Sequence, residues 1–161
     1  MKTDTKVLSL DALTRQVHRW RRAGRRVVFT NGCFDLLHAG HVQSLEEARS
    51  LGDALIVGLN SDRSMRRLKG PGRPLVPQAQ RARVLAGLAC VDAVVVFNAP
   101  TPARLIQRVL PDVLAKGGDW SADAIVGADT VTARGGRVVR LRYRRGCSTT
   151  RLIERIRQRS R

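Results

Sequence analysis

The chain has 161 residues and a hydrophobic fraction of 43%, which suits one globular domain with a core and excludes both a disordered chain and two ordinary domains. Its formal charge is +17, with +6 in residues 1–26, +8 in residues 140–161 and +3 in everything between. This balance favours polyanionic partners, namely nucleic acid, an anionic membrane surface or phosphorylated small molecules. Since only four of the 30 basic residues are lysine, a compositional arginine bias explains the charge equally well.

Localisation and metal content follow from what the sequence lacks. It has no 18-residue apolar run and no signal-peptide pattern, so we expect a cytoplasmic protein with no membrane partner. Cys33, Cys90 and Cys147 are odd in number and have no CxxC spacing. This pattern predicts reduced thiols and neither a disulfide framework nor a structural metal.

Helical and strand patterns alternate along the whole chain. Apolar residues spaced by three or four predict a leading helix over 9–23, and continuous apolar runs such as 54–59 predict strands buried on both faces. The further predicted strands are 26–30, 93–97, 113–115 and 137–141, and the further helices are 41–51, 78–90, 101–109, 125–133 and 149–159. Residues 61–77 are polar and broken by proline and glycine, so a loop is expected there.

This alternation predicts an α/β fold, a Rossmann-like open parallel sheet with helices on both faces. We expect a single domain over 1–161, with the leading helix 9–23 and a core over about 24–158. In such sheets ligands bind outside the carboxyl ends of the strands. The loops after the predicted strands are therefore where functional residues are expected.

The loop after the first strand reads TNGCFDLLHAGH, from Thr30 to His41. Gly40 allows a backbone to approach a ligand closely, the following helix supplies free N–H groups, and His38 and His41 can both donate to phosphate oxygens. An isolated HxxH pair is also compatible with an ordinary polar turn or helix cap. A zinc site fits less well, because no third ligand lies at zinc spacing.

Two motifs resemble those of the cytidylyltransferase-like nucleotidyltransferase superfamily. Its GxFDxxHxGH signature is matched by Gly32, Phe34, Asp35, His38, Gly40 and His41, and its GxSTT segment by residues 146–150. Within the superfamily, residues 9–158 are most similar to the D-glycero-β-D-manno-heptose 1-phosphate adenylyltransferases. Lys116 and Tyr143 favour this branch over the glycerol-3-phosphate cytidylyltransferases, whereas Arg144-Arg145 departs from its usual pattern and is expected to face solvent.

The resemblance implies a nucleotidyltransferase α/β phosphodiesterase-type fold and transfer of AMP from ATP to a heptose 1-phosphate, with release of pyrophosphate. His38, His41 and Lys116 are the implied catalytic residues. The implied sugar-phosphate site is Asp35, Lys116, Gly118 and Asp119. The implied nucleotide site is Thr30, Asn31, Gly32, Cys33, Phe34, Gly40, Lys69, Arg73, Arg81, Ser148, Thr149 and Thr150. ATP brings Mg²⁺, held mainly by phosphate oxygens and water, and no protein ligand is assigned to it.

Several residue roles stay open at this level. Lys69 and Arg73 fit either a mobile clamp over the triphosphate or a solvated basic loop. Arg81 corresponds to a family arginine that reaches the nucleotide, although a surface helix position is also compatible with it. Asp35 fits binding of sugar hydroxyls, orientation of its loop or a place near Mg²⁺.

Alternative functions and the assembly state also stay open. The same chemistry with CTP or another phosphorylated acceptor is one alternative. A non-catalytic basic nucleic-acid-binding protein is another, although an aromatic content of 4% offers few stacking platforms, and we expect no specific nucleic-acid partner. The resemblance implies a homodimer that acts on ATP and a small phosphosugar.

Overall fold

The structure is a computed structural model that describes residues 3–118, 125–142 and 148–159. A short 3-10 helix, Thr3–Lys6, precedes twelve elements in which helices and strands alternate, except that two helices lie between the second and third strands. In chain order these are α1 (Leu10–Arg22), β1 (Val27–Gly32), α2 (Ala39–Ser50), β2 (Ala54–Asn60), α3 (Asp62–Lys69), α4 (Gln78–Gly87), β3 (Ala93–Phe97), α5 (Ala103–Val109), β4 (Val113–Gly117), α6 (Ala128–Thr132), β5 (Arg137–Leu141) and α7 (Thr149–Arg159).

The five strands form one all-parallel sheet in the order β3-β2-β1-β4-β5. The chain moves outward from β1 through β2 to β3, then crosses back to place β4 on the other side of β1. Ligand sites of open α/β sheets lie where the order reverses in this way. The predicted fold class is confirmed, and the reversal at β1 and β4 marks the expected position of the site.

Both faces of the sheet are covered, as the continuous apolar strands predicted. Along β2, Ala54 and Ile56 belong to a core cluster with α1, α5 and Val131 of α6. Leu55 and Val57, which alternate with them, belong to a second cluster with α2 and α4. All seven residues of β2 are buried, which explains why this run shows no alternation of polar and apolar residues.

The main correction concerns residues 61–77, which were expected to be a loop. Helix α3 occupies the first half of this segment, and Ser61 caps it by accepting a hydrogen bond from the Ser64 amide at 3.0 Å. Its buried side chains are only Ser64 and Met65, so its hydrophobic pattern is too sparse to predict a helix. Smaller differences are that α2 begins at Ala39, α4 ends at Gly87, and β1 and β4 extend to Gly32 and Gly117.

Three aspartates fasten the amino-terminal starts of neighbouring strands. The amide of Asp112 donates to the Val27 carbonyl at 2.9 Å, while its carboxylate accepts from the Val27 amide at 2.7 Å. Asp53 makes the same two-way pairing with Arg26, and Asp92 makes it with Leu55. Each carboxylate therefore satisfies an amide that would otherwise lack a partner at the edge of the sheet.

Among the helices in the described ranges, none has the length and hydropathy that crossing a bilayer requires.

Candidate active site

A cavity of about 440 Å³ opens at the carboxyl ends of β1 and β4, at the reversal of strand order. Most of the residues predicted for the site line this cavity, although they come from distant parts of the chain between positions 30 and 150. The predicted residues on its wall are Thr30, Asn31, Gly32, Cys33, Phe34, Asp35, His38, Gly40, His41, Lys69, Arg73, Lys116, Gly118, Ser148, Thr149 and Thr150.

The two histidines form a stacked pair at the start of α2. Their ring centroids are 3.8 Å apart with an interplanar angle of 19°, and the Phe34 ring lies 5.2 Å from that of His41. His38 occupies the N-cap position, but its side chain makes no capping hydrogen bond. The interpretation of this pair as ordinary cap residues is therefore not supported by the geometry.

Both imidazoles have unsatisfied polar atoms. The Nδ1 atoms of His38 and His41 are buried and have no hydrogen-bond partner in the described part of the chain. Burial lowers the pKa of His38, and burial together with the nearby His38 lowers the pKa of His41 to about 4. Both rings are thus neutral at neutral pH and each keeps one N–H donor. An anion at the start of α2 would satisfy that donor and the free helix amides together.

Phe34 explains why this loop needs a glycine at position 32. Phe34 has a positive φ of 44°, and its ring is buried in the core cluster on the α2 face. A Cβ at Gly32 would lie only 2.9 Å from that ring. The GxF part of the motif is therefore a packing requirement that fixes the loop leading to the histidines.

Asp35 holds the segment between α3 and α4 against the motif loop through contacts with Arg73, Leu75 and Val76. Its carboxylate is almost completely buried and accepts from the amides of Leu75 and Val76, each at 2.9 Å, and from Arg73 Nε at 2.6 Å. Burial alone would raise the pKa of Asp35, but these hydrogen bonds outweigh it and hold the pKa below its usual range. Of the roles considered for Asp35, orientation of the loop is the one that this geometry matches.

The same contacts distinguish Arg73 from Lys69, the two residues considered either for a mobile clamp or for a solvated basic loop. Arg73 is held against Asp35, and only 19% of its side chain is exposed. Lys69, by contrast, is exposed at the last position of α3 and makes no hydrogen bond or ion pair with the described residues. Of the two residues, only Lys69 keeps the freedom that a clamp requires.

Arg81 is not among the residues that line the cavity, and its burial shows that the alternative of a surface helix position is wrong. That it reaches the nucleotide stays a prediction, although its guanidinium already binds the surrounding loops. Its side chain is fully buried. Nε donates to the Val76 carbonyl at 2.8 Å, Nη1 donates to the Cys33 carbonyl, and Nη2 donates to the Asn60 carbonyl at 3.0 Å and to the Asp62 carboxylate at 2.7 Å. One guanidinium therefore ties together the loop after β1, the end of β2 and the segment before α4.

Lys116 supplies a partly desolvated cation on the β4 side. It follows the buried residues of β4, and its ammonium donates to Asn31 Oδ1 at 3.1 Å. Burial lowers the pKa of Lys116, opposed only by the neighbouring Cys33. Burial in turn raises the pKa of the Cys33 thiol, so this cysteine is a neutral wall residue.

The start of α7 closes the cavity from the carboxyl-terminal side. Thr149 Oγ1 donates to the Leu36 carbonyl at 3.2 Å, which holds α7 against the motif loop. Ser148 Oγ accepts from the Arg151 amide at 3.2 Å as a cap. The amides of Thr149 and Thr150 have no partner among the described residues, so a second helix start offers free donors to the same cavity.

Some predicted positions lie outside the described residues, and some residues of the cavity were not predicted from the sequence. Asp119, Tyr143, Arg144-Arg145, Gly146 and Cys147 lie in the ranges 119–124 and 143–147, which the structure does not describe. Cavity residues that sequence reasoning did not identify are Ser44, Leu45, Gly117, Leu141 and Arg142. Helical spacing could have identified the first two, because they follow His41 by three and four positions.

The parallel sheet reverses its strand order between β1 and β4, the two histidines lie at one helix start, and free amides lie at another. This combination is typical of an α/β nucleotidyltransferase. Comparison with known proteins agrees: a family described as cytidylyltransferase-like matches residues 29–155. The chain belongs to this cytidylyltransferase-like family.

Two curated relatives have the name bifunctional protein HldE. The one from Alkalilimnicola ehrlichii is 59% identical over 93% of this chain and 31% of its own length. The one from Citrifermentans bemidjiense is 52% identical over 96% of this chain and 32% of its own length. The chain thus spans about a third of the curated relatives that it matches.

Solved structures agree on the fold. A lipopolysaccharide core biosynthesis protein from Thermoplasma volcanium superposes with a TM-score of 0.63 at 26% identity, covering 75% of this chain and 99% of that one. A pantoate-beta-alanine ligase from Francisella tularensis gives a TM-score of 0.54 at 14% identity, covering 79% of this chain and 64% of that one. The second likeness concerns the fold alone.

Proposed function

We propose that this chain transfers AMP from ATP to the phosphate of D-glycero-β-D-manno-heptose 1-phosphate, giving ADP-heptose and pyrophosphate for lipopolysaccharide core precursor synthesis. The observation that supports this most directly is the neutral, unpartnered histidine pair in a cavity with Lys116 and two helix starts. The HldE relatives and the lipopolysaccharide core biosynthesis protein support the substrate class.

The reaction needs alignment and charge stabilisation more than a protein nucleophile. A phosphate oxygen of the sugar 1-phosphate attacks the α-phosphorus of ATP, the bond from that phosphorus to the bridging oxygen breaks, and pyrophosphate leaves with the electron pair. A phosphate monoester is already a competent nucleophile at neutral pH. Catalysis therefore reduces to holding two polyanions in line and stabilising the charge that develops between them.

We assign the charge stabilisation to His38, His41 and Lys116. Each neutral imidazole donates one N–H to the nucleotide phosphates, and Lys116 supplies a positive charge close to the attacking phosphate. The low dielectric that lowers the pKa values of these groups also strengthens their interaction with phosphate. The amides of Thr149 and Thr150 are the proposed donors to the outer phosphates, and Lys69 is the proposed mobile cation.

The remaining motif residues shape the nucleotide and sugar subsites. Asn31, which holds Lys116, and the adjacent backbone of the β1 loop line the nucleotide subsite, while Gly118 and Asp119 are proposed for the sugar. Asp35, Arg73 and Arg81 are positioning residues in this proposal, because their polar groups bind the loops and not the ligands.

Mg²⁺ enters the proposal with ATP. The described residues contain no cluster of three histidine, cysteine, aspartate or glutamate side chains, and the Asp35 carboxylate in the cavity is occupied by Arg73 and two amides. We therefore assign the ion to phosphate oxygens and water. When bound, it neutralises phosphate charge. A cytoplasmic location, where ATP is made, and a homodimer complete the proposal.

The test is a matrix of nucleotides and acceptors. The purified chain is given ATP or CTP with Mg²⁺ and either heptose 1-phosphate, glycerol 3-phosphate or another sugar 1-phosphate, and pyrophosphate release is measured. The proposal expects ATP with heptose 1-phosphate to give the highest kcat/KM. A preference for CTP or for a different acceptor would overturn the substrate assignment while leaving nucleotidyl transfer intact.

Variants of two histidines test the assignment of the site. His41→Ala should lower kcat about 100- to 1,000-fold, the cost of removing one well-placed donor to a developing charge. His18→Ala is the matched control, because His18 is exposed on α1 and absent from the cavity wall, and it should retain full activity. Normal turnover by His41→Ala would refute the role of His41.

A further inference from the structure

A second concave site lies at the opposite, amino-terminal edge of the sheet. It is a groove of about 560 Å³ between the turn that joins α1 to β1 and the turn that joins α6 to β5. Its volume is within the range of small-molecule sites. Five arginines line it, and we call it the arginine groove: Arg21, Arg25, Arg26, Arg134 and Arg137.

The negative charge in the arginine groove is already engaged by the backbone. Its two carboxylates belong to Asp53 and Asp112, and these accept from the amides of Arg26 and Val27 at 2.7 Å each. Five arginines against two aspartates leave a net charge of +3 on the lining. The groove therefore has an excess of positive charge that its own acidic residues do not pair.

Two of the arginines are held in place and three are free to meet a ligand. Arg21 donates to the carbonyls of Val109 and Leu110, and Arg25 donates to the Asp53 carbonyl while lying 5.6 Å from the Trp20 ring centroid. The guanidinium groups of three exposed arginines make no hydrogen bond or ion pair with the described residues. These are Arg26, Arg134 and Arg137.

The backbone of the groove leaves room for a ligand beside the guanidinium groups. Gly24 and Gly135 line it with positive φ values of 69° and 76°, and a Cβ built on either would meet no atom within 4 Å. Neither glycine has a side chain that would occupy the groove. An anion can therefore approach the backbone closely while guanidinium groups from both walls donate to it.

We propose that the arginine groove binds a small polyphosphate anion at a site separate from the candidate active site. Guanidinium groups recognise phosphate oxygens through paired N–H donors, and arginines on two walls suit a chain of phosphates better than a single one. Three of the groove arginines, Arg21, Arg25 and Arg26, belong to the positively charged segment 1–26, none of which lines the candidate active site.

The test is a titration of ¹⁵N-labelled protein with inorganic tripolyphosphate at about 0.15 M ionic strength, where long-range attraction between exposed charges is screened. The amides of Gly24, Gly135 and Gly136 report on the groove, and those of Gly32 and Gly40 report on the candidate active site. The proposal expects saturable shifts in both sets, with separate binding curves.

Two triple variants separate the groove from bulk charge. Arg26→Gln/Arg134→Gln/Arg137→Gln should weaken binding at the groove glycines at least about tenfold and leave the active-site shifts and the basal turnover unchanged. The control removes the same charge from exposed arginines outside the groove lining, as Arg63→Gln/Arg104→Gln/Arg155→Gln. It should behave as the unmodified chain does.

Three results would overturn the proposal. They are the absence of saturable shifts at the groove glycines, equal weakening in both triple variants, and shifts produced by a short DNA duplex but not by tripolyphosphate. All of the substituted arginines are exposed, so thermal unfolding should show both variants folded. The result does not depend on the proposed transferase activity, because the readout is binding at the far edge of the sheet.

Discussion

Replacing Arg81 by methionine tests whether one buried guanidinium holds the loops around the site together. Methionine fills a similar volume but removes every hydrogen-bond donor. The carbonyls of Cys33, Asn60 and Val76 then lose a charged donor, and Asp62 loses its ion-pair partner. Three segments that now meet at one side chain would be left with unsatisfied polar groups.

The expected cost follows from those four contacts. Hydrogen bonds to charged groups contribute about 1.5–3 kcal/mol each, but the carbonyls can recover part of this from water that enters through the cavity. Removing one partner of a buried pair costs about 3–5 kcal/mol in total. For a chain of this length each kcal/mol lowers the melting temperature by roughly 2–4 °C, so we expect a decrease of roughly 6–20 °C.

Thermal unfolding followed by circular dichroism measures the effect, with Arg83→Met as the matched control. Arg83 is two residues further along α4, and its exposed ion pair with Asp4 at 3.4 Å should contribute about 0–1 kcal/mol. Arg81→Lys keeps the charge and loses the planar fork, so it should fall between the unmodified chain and Arg81→Met. Equal melting temperatures for the Arg81→Met and Arg83→Met variants would refute the reasoning.

Three further predictions concern the site itself. The pKa of His41 is lowered to about 4 in the folded chain, so as pH falls the unfolded chain binds this proton before the folded chain does. Between about pH 6.5 and 4, the urea midpoint of the unmodified chain should therefore decrease more than that of His41→Gln. Equal decreases in the two midpoints would contradict this. Asp35→Asn removes the charged acceptor of three donors and should lower the free energy of unfolding, measured with urea, by about 1.5–3 kcal/mol. A change within the error of the measurement would show that residues 70–76 are held by other contacts. Lys116→Met should lower kcat/KM at least about tenfold, with partial recovery in Lys116→Arg; a KM and kcat unaffected by either change would remove Lys116 from the site.

The strands and the motif loop were predictable because their signals are local. Val27, Val28 and Phe29 form a short apolar run before Asn31-Gly32, a pattern that predicts a buried strand, and all three are buried in β1. His38 and His41 lie between this strand and the next, where α2 begins. The alternation of strands and helices was therefore enough to place them at the carboxyl edge of the sheet. Both inferences used neighbouring residues alone.

The remaining features depend on contacts between distant parts of the chain. Arg81 meets the carbonyl of Cys33 across 48 positions, and nothing in the residues around Arg81 specifies that acceptor. Asp35 meets the amides of Leu75 and Val76 across about 40 positions for the same reason. Helix α3 was missed because it buries so few side chains that tertiary contacts and the Ser61 cap, more than hydrophobic periodicity, stabilise it.

The paired bonds of Asp53, Asp92 and Asp112 fix the relative alignment of adjacent strands. Each aspartate binds both backbone groups of one specific residue in the neighbouring strand or directly before it. A shift of one position would therefore break two bonds and turn every strand side chain to the wrong face. Strands of defined length that start in fixed alignment also end in fixed alignment. The aspartate bonds at the amino-terminal edge therefore help to fix the distance between Asn31 and Lys116, which lie at the opposite, carboxyl ends of β1 and β4.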